Sequence, residues 1–148
     1  MSDEINIHAS CVAVNGHGVL LLGDSGAGKS DIALLLIDQG AQLVADDRTI
    51  LFTRKGVLHA KAPASIKGLL EIRGVGIVRQ PSRNARVRLA VRLGKEDERL
   101  PGPRLYRQLG CEAPEIRLDP RIASTPARIR AAVQAFVRGG FRDTFHLK

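Results

Sequence analysis

Eight consecutive residues constrain this chain more than any other stretch: Gly23-Asp24-Ser25-Gly26-Ala27-Gly28-Lys29-Ser30. They satisfy the phosphate-loop pattern G-x-x-x-x-G-K-[ST] at every required position. The apolar run Val19 to Leu22 precedes them and reads as a strand, and Asp31 to Gln39 follows and reads as a helix. A glycine loop in that setting turns backbone N–H groups around phosphate oxygens and adds the positive end of a helix dipole. Lys29 can then reach β- and γ-phosphates, and the Ser30 hydroxyl can ligate Mg²⁺. All eight residues are expected to cradle a nucleoside triphosphate such as ATP, within an α/β fold.

The 148 residues suit one domain spanning 1–148, with no signal peptide and no run long enough for a transmembrane helix. Cys11 and Cys111 are far apart and outside any metal-ligand spacing. Free thiols in a reducing cytoplasm are expected, with no membrane partner. The net charge of +8 is uneven, because residues 1–74 hold seven Lys/Arg against eight Asp/Glu. The second half is therefore strongly basic, which suits an acidic partner or a solvated Arg-rich face. The few aromatics (Phe52, Tyr106, Phe136, Phe141, Phe145) do not interleave the basic residues, so a nucleic-acid partner is not expected.

Ile5 to Val14 reads as a strand returning through Asn15-Gly16 to the strand that feeds the loop, a hairpin that makes the sheet mixed. The helix after the loop is apolar nearly all round and expected to be buried, with Gly40 as its cap. Leu43-Val44-Ala45 is a short strand expected beside the phosphate-loop strand, ending in Asp46-Asp47. A second hairpin turns at Arg54-Lys55-Gly56. Pro63 to Lys67 is a loop or helical turn, and extended segments flank Gly74 and Gly76. Residues 86–93 place Val87, Leu89, Val91 and Leu93 on one face of a half-buried strand. Residues 94–103 read as a surface loop, Leu105 to Leu109 as a helical turn, and Glu115 to Leu118 as an edge strand. Thr125 is expected to cap a last helix that opens at Pro126, with Ile129, Ala132, Val133, Phe136 and Val137 as its apolar stripe.

Phosphoryl transfer needs more than the loop. Of Asp46 and Asp47, one carboxylate can ligate Mg²⁺ and the other can accept a proton from an attacking hydroxyl. Glu71, ahead of Ile72-Arg73-Gly74-Val75-Gly76, can be a further metal ligand, although spacing alone favours an ion pair with Arg73. His8 lies where an imidazole can touch the catalytic carboxylate; a structural role is the plainer reading. His17 in a turn, His59 on a strand and His146 suggest no chemistry.

The order of these pieces resembles the C-terminal catalytic domain of the HPr kinase/phosphorylase family. The matching residues are Ile7-His8, Gly18-Val19-Leu20, the loop 23–30, Leu43-Val44-Ala45-Asp46-Asp47, and Gly68 to Ile77 with its Glu-Ile-Arg-Gly-x-Gly core. The resemblance implies a mixed, curved sheet with helices packed against it, similar to phosphoenolpyruvate carboxykinase. It also implies a Mg²⁺- and ATP-dependent kinase for a serine of an HPr-type phosphocarrier protein. In the reverse reaction, inorganic phosphate would release pyrophosphate from the phosphoprotein. By position, Asp47 would be base and acid, His8 its assistant, Lys29 the phosphate holder, and Ser30 and Glu71 metal ligands, alongside Asp46 from the residue reading. Arg99 matches a catalytic arginine best, with Arg104 as rival, and Asp119-Pro120-Arg121 matches a basic turn. The family's separate N-terminal domain has no counterpart in these residues, so a short form is expected, and the family's hexamers imply a homo-oligomer. The alternatives are a small-molecule kinase and a nucleotide-sensing regulator that binds nucleic acid through its basic half.

Overall fold

The computed structural model describes residues 3–95 and 104–139. In chain order they form β1 (Glu4–His8), β2 (Ser10–Val14), β3 (His17–Leu22), α1 (Lys29–Asp38), β4 (Gln42–Ala45), β5 (Arg48–Arg54) and β6 (Val57–Lys61). A 3₁₀ turn at Ala64–Ile66 leads to β7 (Leu69–Ile72), β8 (Gly76–Arg79), β9 (Ala85–Leu93), β10 (Arg104–Gln108), β11 (Cys111–Leu118) and α2 (Thr125–Arg138). Three hairpins turn on residue pairs with positive φ throughout: Asn15-Gly16, Lys55-Gly56 and Leu109-Gly110. That geometry gives the tight turn whose twist suits antiparallel strands.

Among the described residues nine strands make one sheet, in the order β1-β5-β6-β9-β3-β2-β4, with β11 also beside β9 and β10 beside β11. Pairing is antiparallel except that β9 runs parallel to β3 and β11, so the mixed sheet is as expected. β9 forks the sheet: its start, Ala85 and Arg86, pairs with β6, and its end, Ala90 to Leu93, pairs with β11. β7 and β8 form a separate hairpin.

Each face of the sheet has its own core. Ile32, Ala33 and Leu36 of α1 and Ile129 and Val133 of α2 pack on Val12, Val14, Val19, Leu21, Leu89, Val91 and Leu93. The other face is closed by strands alone, and Ala9, Ala13, Ala45, Ala60, Ala85, Ala90 and Ala113 let them approach closely. Cys11 lies in that second core, where complete burial pushes its thiol up to about 12. A buried neutral thiol of this kind is inert.

Several sequence expectations change. Ile5 to Val14 is two strands that break at Ala9: β2 is the hairpin partner of β3, whereas β1 pairs with β5. His8 therefore does not lie in the hairpin, and His17 is a strand residue opposite Val14. β4 pairs with β2, so one strand separates it from β3. The alternation along β9 is interrupted because Gly18 pairs with Val87 but Val19 pairs with Leu89, leaving Arg88 as a bulge. The bulge sends Val87 to the strand-lined core while Leu89, Val91 and Leu93 face the helices. Ala90, also fully buried, makes β9 a strand covered on both faces. α1 buries one side only, and Leu35 is 47% exposed. Residues 104–108 form a strand, since β11 offers them a hairpin partner, and β11 is an eight-residue inner strand. Thr125 does not cap α2; Ser124 holds that position and the Thr125 hydroxyl donates to the Asp119 carbonyl. Most of the 94–103 loop lies outside the described residues.

Gly18 is needed for close approach. A Cβ there would sit 2.6 Å from the Arg86 carbonyl oxygen, in the bulged register. Gly18→Ala should destabilise the fold by about 1–3 kcal/mol through overpacking. Gly94→Ala, where a Cβ meets open space, should stay within about 0.5 kcal/mol of the parent in the same urea titration.

His17 and His59 are both held below the ordinary histidine value, first by burial and then by Arg88 and Arg86 for His17 and by Arg54 and Arg86 for His59. A depressed imidazole pKa means the unfolded chain binds the proton first as pH falls. Stability should decline below about pH 6.5, the unfolded histidine value. The double substitution His17→Gln and His59→Gln should flatten that decline in denaturation curves taken from pH 8 to 5.

Candidate active site

The phosphate loop is shaped by three glycines at positive φ: Gly23 (147°), Gly26 (81°) and Gly28 (100°). Two of them are also contact points. A Cβ on Gly23 would lie 3.0 Å from Ala27 Cβ and 3.1 Å from the Leu93 carbonyl, and one on Gly28 would lie 3.2 Å from Pro120 Cβ. The Asp119-Pro120-Arg121 turn thus packs directly against the loop. The Asp119 carboxylate accepts from the Arg121 backbone N–H and guanidinium, and those hydrogen bonds hold it below the usual carboxylate range. Lys29 opens α1 and is almost fully buried. Its ammonium donates to the carbonyls of Gly23 (2.8 Å) and Asp24 (2.9 Å), which fixes the charge inside the loop.

The adjacent carboxylates separate just after β4. Val44 is an extra residue in the β2–β4 register, where Cys11 pairs with Ala45 and Val12 with Leu43. Such a bulge bends the strand end. Asp47 then adopts φ 69°, a left-handed conformation that Asp tolerates better than most side chains. The two side chains consequently go different ways. Asp46, 7% exposed, accepts from Ser10 Oγ (3.0 Å) and Ser30 Oγ (2.8 Å) at Oδ1 and from the Glu71 backbone N–H (3.0 Å) at Oδ2. Asp47 points outward, its side chain 68% exposed, and its Oδ1 lies 2.9 Å from His8 Nε2. With the carboxylate ionised, Nε2 is the donor.

His8, Lys29, Ser30, Asp47 and Glu71 line one cleft of about 340 Å³, together with Ser25, Gly26, Gly28, Asp31 and Arg73. Asp46 sits behind Ser30, at the floor. His8 reaches Asp47 from β1, because β1 pairs with β5 and places His8 opposite Arg48, the residue after Asp47. Glu71 and Arg73 form no ion pair with each other; both face the cleft. A larger cavity of about 450 Å³ lies between the β5–β6 and β10–β11 turns, lined by Arg86, Arg107, Cys111 and Glu112 among others. It contains no part of the phosphate loop, so the chemistry belongs to the smaller cleft. Arg99 lies outside the described residues, and Arg104, in β10, does not line the cleft.

Sequence reasoning missed Ser10. It is fully buried; its hydroxyl donates to Asp46 Oδ1 and accepts from the Asp47 backbone N–H at 3.0 Å. One hydroxyl therefore sets both acidic residues. The available signal was a serine at the head of an otherwise apolar, buried strand.

The oxygen donors of Ser30, Asp46 and Glu71 suit a hard cation such as Mg²⁺, which shares its ligands with substrate phosphates rather than needing an all-protein cage. Among the described residues no three His, Cys, Asp or Glu side chains cluster as a metal-holding group.

A family model described as HPr Serine kinase C-terminal domain matches residues 1–110. The HPr kinase/phosphorylase of Aromatoleum aromaticum is 41% identical over 112 residues, covering 69% of this chain and 34% of that protein. The HPr kinase/phosphorylase of Clostridium acetobutylicum is 43% identical over 82 residues, 55% of this chain and 27% of that protein. The chain thus spans about a third or less of the curated relatives it matches. Among solved structures, the Hpr(Ser) kinase/phosphatase from Coxiella burnetii superimposes with a TM-score of 0.80 at 28% identity, over 91% of this chain and 97% of that one.

Ser10→Ala removes an acceptor from the Asp47 N–H and a donor from buried Asp46. It should reduce folding stability by about 1–3 kcal/mol, the range for a buried group left unsatisfied. Urea denaturation of the variant against the parent reads the loss directly.

Proposed function

We propose that this chain, which belongs to the HPr serine kinase C-terminal domain family, transfers the γ-phosphoryl group of ATP to a serine of an HPr-type phosphocarrier protein. The observation that carries the reading is the Asp47–His8 pair, joined at 2.9 Å, in the same cleft as Lys29 and Ser30 of the phosphate loop.

The chemistry follows from the charges. The loop backbone and Lys29 hold the phosphates, and Lys29 balances charge on the transferring group. Asp47, at the open mouth of the cleft, is placed to take the proton of an incoming seryl hydroxyl. His8 donates to its Oδ1 and fixes the carboxylate's orientation. As the seryl oxygen bonds to phosphorus, the bond to the ADP oxygen breaks and the proton stays on Asp47. In the dephosphorylating direction, an oxygen of inorganic phosphate bonds to the phosphoseryl phosphorus, the bond from phosphorus to the seryl oxygen breaks, pyrophosphate is released, and Asp47 gives its proton to the seryl oxygen. One carboxyl group serves both directions because the same proton moves both ways. Mg²⁺, when bound, would be held by Ser30, Asp46 and Glu71 and would neutralise phosphate charge.

A homo-oligomer working on a soluble carrier fits this reading. No described helix is long and apolar enough to cross a membrane.

The test is transfer of label from γ-labelled ATP to an HPr-type carrier, followed by release of pyrophosphate when phosphate is added to the labelled carrier. Asp47→Asn should slow transfer by about 10²- to 10⁴-fold, the usual contribution of a general base, and leave nucleotide binding intact. Lys29→Ala should instead weaken nucleotide binding by roughly 10- to 100-fold, the loss of one charge-assisted contact. Undiminished labelling by Asp47→Asn would remove Asp47 from the base role.

A further inference from the structure

Part of the positive surplus of the second half gathers at the end of β3 and β9 away from the phosphate loop. His17 opens β3, and the strand runs from there to Leu22, next to Gly23. At about 3.3 Å per strand residue, His17 lies about 17 Å from the loop. β9 runs parallel to β3 and begins at the same end. Arg86 stands opposite His59 of β6, Arg88 is the bulge residue facing Gly18 and Val19, and Arg54 closes β5. Arg86 acts on imidazoles to both sides: burial and then Arg88 and Arg86 lower His17, and burial and then Arg54 and Arg86 lower His59. Arg88 is itself held below the ordinary guanidinium value, by burial and then by Arg86. Among the described residues none of these three arginines joins an ion pair.

The larger cavity, about 450 Å³, opens at the same end. It exists because the sheet forks. Among the described residues β6 meets β9 at Ala85 and Arg86, and β11 meets it from Ala90 onward. The first residues of β6 and β11 therefore stand apart along one edge of β9. The Cys111 thiol, donating to the Gly56 carbonyl at 3.5 Å, ties the two turns together across the gap. Buried Leu58 and Val87 give the cavity apolar lining, and Arg86 and Arg107 give it charge. Glu112, the carboxylate in the lining, is already joined to Arg107 at 2.6 Å. Arg86 is left without a counter-charge. A concave space of this volume, mostly walled by fixed strands and carrying a few polar groups, has the dimensions of a small-molecule site. Like charges held together without a counter-ion work against the compact state, and a bound anion removes that cost.

We propose that the cavity at the fork of the sheet, with Arg86 in its wall and Arg54 and Arg88 close by, is a second ligand site that takes a small polyanion, an organic molecule bearing two or more phosphate or carboxylate groups. A planar guanidinium holds either group through two parallel hydrogen bonds. The site is separate from the phosphate loop and does not depend on the serine-kinase reading.

The experiment is calorimetric titration of the protein with citrate and with bisphosphoglycerate. At least one probe should bind the parent with a Kd below about 1 mM, and the tighter of the two identifies carboxylate or phosphate as the preferred group. Arg86→Ala should weaken that binding about 10- to 100-fold, the loss of one charge-assisted contact, with folding stability in urea equal to or above the parent's because a repelling charge is gone. Arg54→Ala, at an exposed strand end, should weaken binding in the same direction and carries the test if Arg86→Ala does not fold. Lys29→Ala should leave binding unchanged. Failure of both probes to bind overturns the site. Binding that survives Arg86→Ala and is lost in Lys29→Ala assigns the probes to the phosphate loop and overturns it as well. Binding that falls equally in Arg86→Ala and in Arg138→Ala, at the far end of α2, reflects net charge alone and also overturns it.

Discussion

Three donors converge on one carboxylate, and the rest of the site depends on that convergence. Asp46 accepts from a strand serine, from the first-turn serine of α1 and from the backbone of the β7–β8 hairpin. These groups belong to separate segments, the farthest of them 36 residues from Asp46 in sequence. A buried carboxylate left without partners would be very unfavourable, whereas hydrogen bonds to an ionised acceptor are about twice as strong as neutral ones. The same contacts that satisfy Asp46 therefore draw the phosphate loop, β2 and the hairpin to a common centre.

Asp47 is placed by exclusion from that centre. Its left-handed backbone and the bulge at Val44 turn it away from the floor, and Ser10 accepts its N–H so that the turn has no orphan donor. Strained conformations of this kind persist where surrounding contacts over-determine them, commonly at functional sites. Two identical side chains in sequence thus become a buried hydrogen-bond acceptor and an exposed carboxylate paired with His8. The division of labour is a consequence of backbone geometry, not of residue type.

The sequence made parts of this visible and hid others for identifiable reasons. The loop 23–30, the Asn15-Gly16 and Lys55-Gly56 turns and the two helices were legible because each is encoded by neighbours in the chain. The face assignment along β9 was not, since the bulge at Arg88 reverses the alternation after Val87 and depends on the register of Gly18 against Arg86. Leu105 to Leu109 looked helical in isolation, yet Arg104 to Gln108 form a strand because β11 supplies a partner, and Leu109 lies in the turn between them. Pattern alone also favoured an ion pair between Glu71 and Arg73, yet the two residues form none and both line the cleft.

What the sequence determined by itself is the phosphate loop and the local turns, whose conformations follow from glycine freedom and short-range hydrogen bonding. It also supplied the roster of acidic residues and His8. Tertiary structure alone decided which carboxylate is buried, that His8 reaches Asp47 across the β1–β5 pairing, and that Ser10 serves both acids. Those outcomes rest on strand order, register shifts and one positive φ, and such quantities are fixed only when distant segments compete for the same hydrogen bonds.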